Sequence, residues 1–123
     1  MGRPAEALQA AELALRLSPR DPRATVWLSG LSLSHYLLGD YEAAVAAARR
    51  SLALRPDWAP VHHPLAASLA RLGRQNEAAE VFGRLIRLEP DAVERMEHFT
   101  HGFKDRAAGE HLLEGLRWAG TSR

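Results

Sequence analysis

A stretch of 18 residues recurs at a fixed distance. GDYEAAVAAARRSLALRP, from Gly39 to Pro56, returns as GRQNEAAEVFGRLIRLEP, from Gly73 to Pro90, 34 residues further on. Ala44 and Ala78, Leu54 and Leu88, and upstream Leu31 and Leu65, Leu38 and Leu72 keep the same offset. A fixed period of this size marks one supersecondary unit stacked on its own copy. Each unit must then bury its apolar face on a neighbour, which confines the chain to a solenoid.

The unit itself is legible. Gly39 and Gly73 end a helix, because glycine alone takes the left-handed position after a helix at little cost. A second helix follows, with a small residue, Ala44 or Ala78, where a neighbouring helix must come close. Its inward residues recur at helical spacing: Ala44, Ala48, Ser51 and Leu52 in one copy, Ala78, Phe82, Leu85 and Ile86 in the other. Pro56 and Pro90 stop it, since proline cannot continue a helix and turns the residue before it away from α.

Glycine at the turn, alanine in the second helix and the closing proline, each present in both copies, resemble the tetratricopeptide repeat, a family with about 34 residues per unit. The first helices depart from the family's pattern. The Trp position holds Leu28 or His62, the Gly position Ser32 or Ala66, and the Tyr position His35 or Leu69. The resemblance implies an all-α fold: an α-solenoid of antiparallel helix pairs closed by a C-terminal capping helix. Repeats are expected over residues 1–92, as a half unit 4–19 and units 25–58 and 59–92, with the helical cap over 93–123.

Taken in order, residues Pro4 to Leu17 read as a second helix with no first helix before it. Ala7, Ala14, Leu15, Leu17 and Pro19 match Ala44, Ser51, Leu52, Leu54 and Pro56 at an offset of 37. Such a helix is expected to leave an apolar face with Ala7, Ala11 and Leu15 bare. Either the chain is cut from a longer protein, or its start is covered by something else, a second copy being one such cover. The next helices are expected at Arg23–Leu38, with Val26, Trp27, Leu28, Leu31, His35 and Leu38 inward, and at Tyr41–Leu54. Trp58 is expected to pack between units. Pro64 predicts a late-starting or slightly bent helix after Ala59. Further helices are expected at Gln75–Leu88, Ala92–Phe99 and Asp105–Trp118, with a turn at Thr100-His101-Gly102.

Composition limits the function. Charged residues are 25% of the chain with a net charge of +1, so no basic footprint suggests nucleic acid. No apolar run suits a membrane span, and the first residues lack a signal-peptide core, so a cytoplasmic setting is expected. There is no cysteine, which excludes disulfides.

No catalytic pattern stands out. Ser29, Ser32 and Ser34 lie near His35, but on a repeat helix such serines serve as small packing residues. Glu97-His98-Phe99-Thr100-His101 has the order EHxxH rather than the HExxH that sets two histidines on one face. Adjacent His62 and His63 point to different sides, one to pack and one toward the groove. No phosphate loop or dinucleotide fingerprint occurs. The chain is read as a non-enzyme with no cofactor and no metal.

The repeat resemblance implies a binding face. In the family, the first helices line a concave groove at the second, fifth, ninth, twelfth and thirteenth positions of each unit. Those fall here on Val26, Ser29, Leu33, Tyr36 and Leu37, then on Pro60, His63, Ala67, Ala70 and Arg71. The family's carboxylate-clamp members carry Lys and Asn at the fifth and ninth positions, where this chain has Ser29, His63, Leu33 and Ala67. A chaperone-type clamp is therefore not implied. An amphipathic or extended apolar peptide of a protein partner fits this lining, with Arg71 for an acidic group. Cover by the chain's own last helix is the other reading of the same positions.

The tail carries a second resemblance. Phe103, Lys104, Asp105, Leu116, Arg117, Ala119 and Gly120 resemble the closing segment of repeat regions in bacterial adenylate/guanylate cyclase-type multidomain proteins. It implies that the chain is the regulatory C-terminal part of a larger protein. Three functions remain open: a partner-binding groove, a homodimer through the first helix, and the regulatory domain of a nucleotide cyclase-type enzyme.

Overall fold

The turns after the first helix of each pair are built alike. In the computed structural model, which describes residues 4–18, 20–99 and 106–120, Gly39 and Gly73 have φ of 84° and 78°. The Gly39 amide donates to the Tyr36 carbonyl at 3.0 Å and the Asp40 amide to the His35 carbonyl at 2.8 Å. The second copy repeats this, Gly73 to Ala70 at 3.1 Å and Arg74 to Leu69 at 2.9 Å. These paired bonds satisfy carbonyls that the last helical turn would leave orphaned. Asp40 then caps the next helix by accepting the Ala43 amide.

The helices are α1 (Pro4–Leu17), α2 (Ala24–Leu37), α3 (Tyr41–Leu54), α4 (His62–Arg71), α5 (Gln75–Leu88), α6 (Ala92–Phe99) and α7 (Arg106–Gly120), and no strand occurs among the described residues. The expected bounds agree with these to within a residue or two. Ala59–Val61 forms a single 3₁₀ turn before α4, so the helix does start late. Pro64 falls in the first turn of α4, where its missing N–H costs no ladder bond. Pro19, Thr100, His101, Gly102, Phe103, Lys104 and Asp105 lie outside the described residues.

The pairs α2/α3 and α4/α5 stack into an all-α solenoid, with α3 packed on α4. Ala44, Ala48 and Ala78 are fully buried, which is the close approach their size permits. Val61, Leu65, Leu69, Val81 and Leu85 form the centre of the core, with Leu116 and Ala119 of α7. Trp58 packs against the same cluster, its ring under the Arg55 guanidinium at 4.9 Å.

Two expectations about packing need correction. Val26 and Leu38 were expected inward on α2, yet each is about half exposed, at 49% and 51%. The buried sides of α2 and α3 include small polar residues that bring their own partners. Buried Ser32 donates to the Ala44 carbonyl at 2.8 Å, and buried Ser51 of α3 donates to the Thr25 carbonyl at 2.9 Å. A buried hydroxyl with a carbonyl partner costs little and lets the helix axes approach. On α1, Ala11 and Leu15 are not bare: with Leu8 they pack on Leu28, Leu31 and Ala47. The Ala7 side chain lies outside the described residues, and among the described α1 side chains the large apolar ones that are exposed are Leu13 and Leu17.

Candidate functional site

The first helices, α2 and α4, stand side by side on the concave face, and α7 lies along α4 and against α5 and α2. This helix divides the face in two. One part is covered by α7; the other stays open as a cleft.

The covered part is held by donors that reach up from three helices. Tyr36, fully buried on α2, donates its hydroxyl proton to the His111 carbonyl at 2.7 Å. Its oxygen accepts from Nε of Arg71 on α4 at 3.2 Å. Arg71 Nη2 donates to the same His111 carbonyl at 3.1 Å and to Oε1 of Glu114 at 3.0 Å. Gln75 of α5 donates to the Trp118 carbonyl at 2.9 Å. The Arg71 guanidinium also lies 5.7 Å from the centre of the Trp118 ring.

The histidine tautomer follows from its neighbours. Nδ1 of His111 stands 3.0 Å from Arg71 Nη2, which can only donate. Nδ1 therefore carries the lone pair, and Nε2–H donates to the Tyr41 hydroxyl at 3.2 Å. Burial, followed by the Arg71 charge, pushes the His111 pKa below its ordinary value. Burial pushes the Tyr36 phenol up. For Arg71, burial works against the charge, but the hydrogen bonds it donates to Tyr36 and Glu114, with the Glu114 charge, outweigh it.

Small residues let α7 sit this close. A Cβ at Gly115 would fall within the Tyr36 hydroxyl and 2.8 Å from the Ala67 Cβ. A Cβ at Gly120 would meet the Phe82 ring at 2.8 Å. Leu112 packs with Tyr36 and Ala67, while Leu116 and Ala119 reach the cluster that includes Ala70. Glu97 of α6 pairs with Arg117 of α7.

The open part is a cleft of about 410 Å³. Ser29, Gly30 and Leu33 form the α2 wall, and Pro60 of the 3₁₀ turn with His63 and Pro64 of α4 the opposite one. Glu89, Ala92, Arg95 and Met96 close it from the α5–α6 side, and Leu112 of α7 from the other. One carboxylate serves two neighbours: Glu89 lies 3.8 Å from His63 Nε2 and 3.5 Å from Arg95 Nη1. Burial is the main reason the His63 pKa lies below its ordinary value, and its Nδ1 is buried with no protein partner. Adjacent His62 packs inward as expected, with Nδ1 donating to the Trp58 carbonyl at 3.0 Å.

The ten residues expected on the face therefore separate. Ser29, Leu33, Pro60 and His63 line the cleft. Tyr36, Ala67, Ala70 and Arg71 face α7, and the acid that Arg71 meets is Glu114 of its own chain. Leu37 packs beside Tyr36 and Ala44, and Val26 lies outside the cleft. Glu89, Ala92, Arg95, Met96 and Leu112 were not anticipated. All but Glu89 lie beyond Pro90, where the repeat register ends and position counting has nothing to count. Among the described residues, no group of three or more His, Asp or Glu is placed to hold a metal ion, and no helix is long and apolar enough to cross a membrane.

Stacked two-helix units with this inner face define the tetratricopeptide class of helical-repeat protein. Residues 2–85 match the family described as anaphase-promoting complex, cyclosome, subunit 3, and the chain belongs to that family. Among curated proteins it is 33% identical over 91 residues to the peroxisomal targeting signal receptor of Eremothecium gossypii. It is 29% identical over 91 residues to the receptor of that name in Candida albicans. Each match takes in 71% of this chain but only 16% and 15% of the relatives, so the chain spans about a sixth of their length. The crystal structure of MamA has the same fold, with a TM-score of 0.66 over 94% of this chain and 66% of MamA, at 16% identity.

Proposed function

We propose that this chain is a protein–protein interaction module that holds an apolar segment of a protein partner in the cleft between α2, α4 and α6. One observation carries the reading. On a concave face otherwise filled by α7, an apolar cleft of about 410 Å³ stays open where Ser29, Leu33, Pro60 and His63 converge. Pockets of this size and lining suit a few apolar side chains of an extended or helical segment. Arg95 and Glu89 at its edge offer one charge of each sign to orient that segment. By name, the curated relatives are receptors for a targeting signal, which fits a module that receives part of another protein.

The test is selection of 12-residue peptides from a displayed random library against the purified chain and against Ser29→Trp, which fills the cleft from its α2 wall. Apolar peptides should be retained by the native chain with micromolar affinity, about −8 kcal/mol, and released by Ser29→Trp. Selected peptides indifferent to Ser29→Trp, or no selection at all, would count against the cleft.

A second reading has an observation of its own. Leu13 and Leu17 of α1 are exposed, Leu17 to 73%, and could pair with the same residues of another copy in a two-fold dimer. Light scattering of native chain and a Leu13→Glu, Leu17→Glu variant over a wide concentration range separates the two. A setting in a nucleotide cyclase-type regulator rests on the tail alone, of which Leu116, Arg117, Ala119 and Gly120 lie in α7. The relatives named above do not include a cyclase.

A further inference from the structure

We propose that the seat of α7 is a helix-docking site, which accepts an amphipathic helix of a partner protein in place of α7. The hydrogen bonds that fix α7 point to this. Tyr36 and Arg71 both donate to the His111 carbonyl, and Gln75 donates to the Trp118 carbonyl. These acceptors are main-chain atoms, which every helix presents whatever its sequence. The seat thus reads the backbone of its occupant at three bonds; it reads side chains where Arg71 meets Glu114 and the Trp118 ring and where Tyr36, Tyr41 and Arg71 meet the His111 ring.

The side-chain requirement is a short pattern. Leu112, Gly115, Leu116 and Ala119 face the solenoid at helical spacing, apolar and small in alternation. The small residue opposite Tyr36 and Ala67 is the strict one. The occupant class is therefore an amphipathic helix with a glycine between two such leucines, and an acidic residue one position before that glycine to meet Arg71. α7 itself is a weak helix for this task. Gly109, Gly115 and Gly120 fall within its 15 residues, and each lowers its intrinsic helix stability. It holds its place because it is attached, which gives it a high effective concentration over any free competitor. The seat adjoins the cleft through Leu112, so a longer partner could occupy both. The inference goes beyond the cleft reading, and the two are tested by different reagents.

The probe is a fluorescently labelled synthetic peptide of residues 106–120, titrated by anisotropy into the full chain and into full-length Gly115→Leu. In that variant the internal helix can no longer reach its seat. Gly115→Leu should bind the peptide at least about tenfold more tightly than the native chain, in which α7 competes. A peptide that itself carries Gly115→Leu should bind neither. Equal binding by native and variant chains would overturn the proposal. Should Gly115→Leu fail to fold, hydrogen exchange on the native chain decides. Excess peptide should speed exchange in α7 while α4 and α5 stay protected. If α7 amides stay as protected as those of α4, with and without peptide, the seat is not exchangeable. If light scattering shows that native chains trade α7 between two copies, the occupant is a second copy and the partner assignment fails.

Discussion

The hydroxyl of Tyr36 donates to the main-chain carbonyl of His111 across 75 residues of sequence, at 2.7 Å. The same oxygen accepts from Arg71, so a single buried phenol joins α2, α4 and α7. Each attachment of the last helix to the first pair passes close to this point.

Removing that hydroxyl isolates its contribution. Tyr36→Phe keeps the ring stacked near Tyr41 and His111 but leaves the partly buried Arg71 Nε one acceptor short. The chain should lose about 1–2 kcal/mol of unfolding free energy. That is a fall of about 4–8 °C in melting temperature for a domain of this size, read by circular dichroism. A variant as stable as the native chain would mean that this bond contributes nothing.

The repeat packing is tested at its small residues. Ala44 and Ala78 are completely buried where neighbouring helices meet. Ala44→Leu and Ala78→Leu should each destabilise by about 1–3 kcal/mol, because the added carbons have no space to enter. Urea unfolding of the two variants gives the answer, and unchanged midpoints for both would contradict the packing.

Three glycines with equal room around them should respond in opposite directions. A Cβ at Gly30, Gly39 or Gly73 would meet nothing within 4 Å. Gly39 and Gly73 have positive φ, so alanine there should cost about 1–2 kcal/mol through backbone strain alone. Gly30 lies inside α2, where alanine should add about 0.5–1 kcal/mol. Differential scanning calorimetry should order the variants Gly30→Ala, native, then Gly39→Ala and Gly73→Ala.

Stability should fall in mildly acidic solution. Burial lowers the pKa of His62 and His63, and burial with Arg71 lowers that of His111, all from an ordinary value of 6.5. The unfolded chain then takes up protons first as the pH drops below 6.5. The contribution of neutral histidine is fully present above that value and is lost below it. Asp21, held at about 2 by its hydrogen bonds to Arg23, and Glu77, lowered by Arg74, withdraw their contributions only at more acid pH. Urea midpoints at pH 7.5 and 5.5 therefore isolate the histidines, and the lower pH should give the lower midpoint. Equal midpoints would show that the three rings are as free to protonate when folded as when unfolded.

What could be read from the residues was whatever local chemistry decides. Gly39, Gly73, Pro56 and Pro90 mark ends that depend on backbone conformation alone, and the helices between them fell where expected. The inward reading of Val26 and Leu38 rests on apolar character alone, and both are half exposed; Ser32 and Ser51 are legible as small packing positions, but their partners are not. Ser32 and Ser51 occupy buried positions through carbonyls on other helices, a pairing that no residue pattern displays. The same holds for the concave face. Counting positions found Ser29, Leu33, Pro60 and His63 in the cleft. It could not say that Tyr36, Ala67, Ala70 and Arg71 lie beneath another helix, because their partners are supplied after the repeat register has stopped. Gly115 was the available signal: a glycine inside a helix, between two leucines, asks for a close neighbour.

The order in which the chain is made adds a temporal dimension. Arg71 precedes His111 by 40 residues, so the receiving surface leaves the ribosome before the helix that fills it. At roughly 5–20 residues per second, the gap is about 2–8 s, far longer than a helical pair needs to form. Each newly synthesised molecule therefore passes through an interval in which α2, α3 and α4 can assemble while Tyr36, Ala67 and Arg71 are still uncovered. A factor that recognises this surface would meet nascent chains on more favourable terms than finished ones.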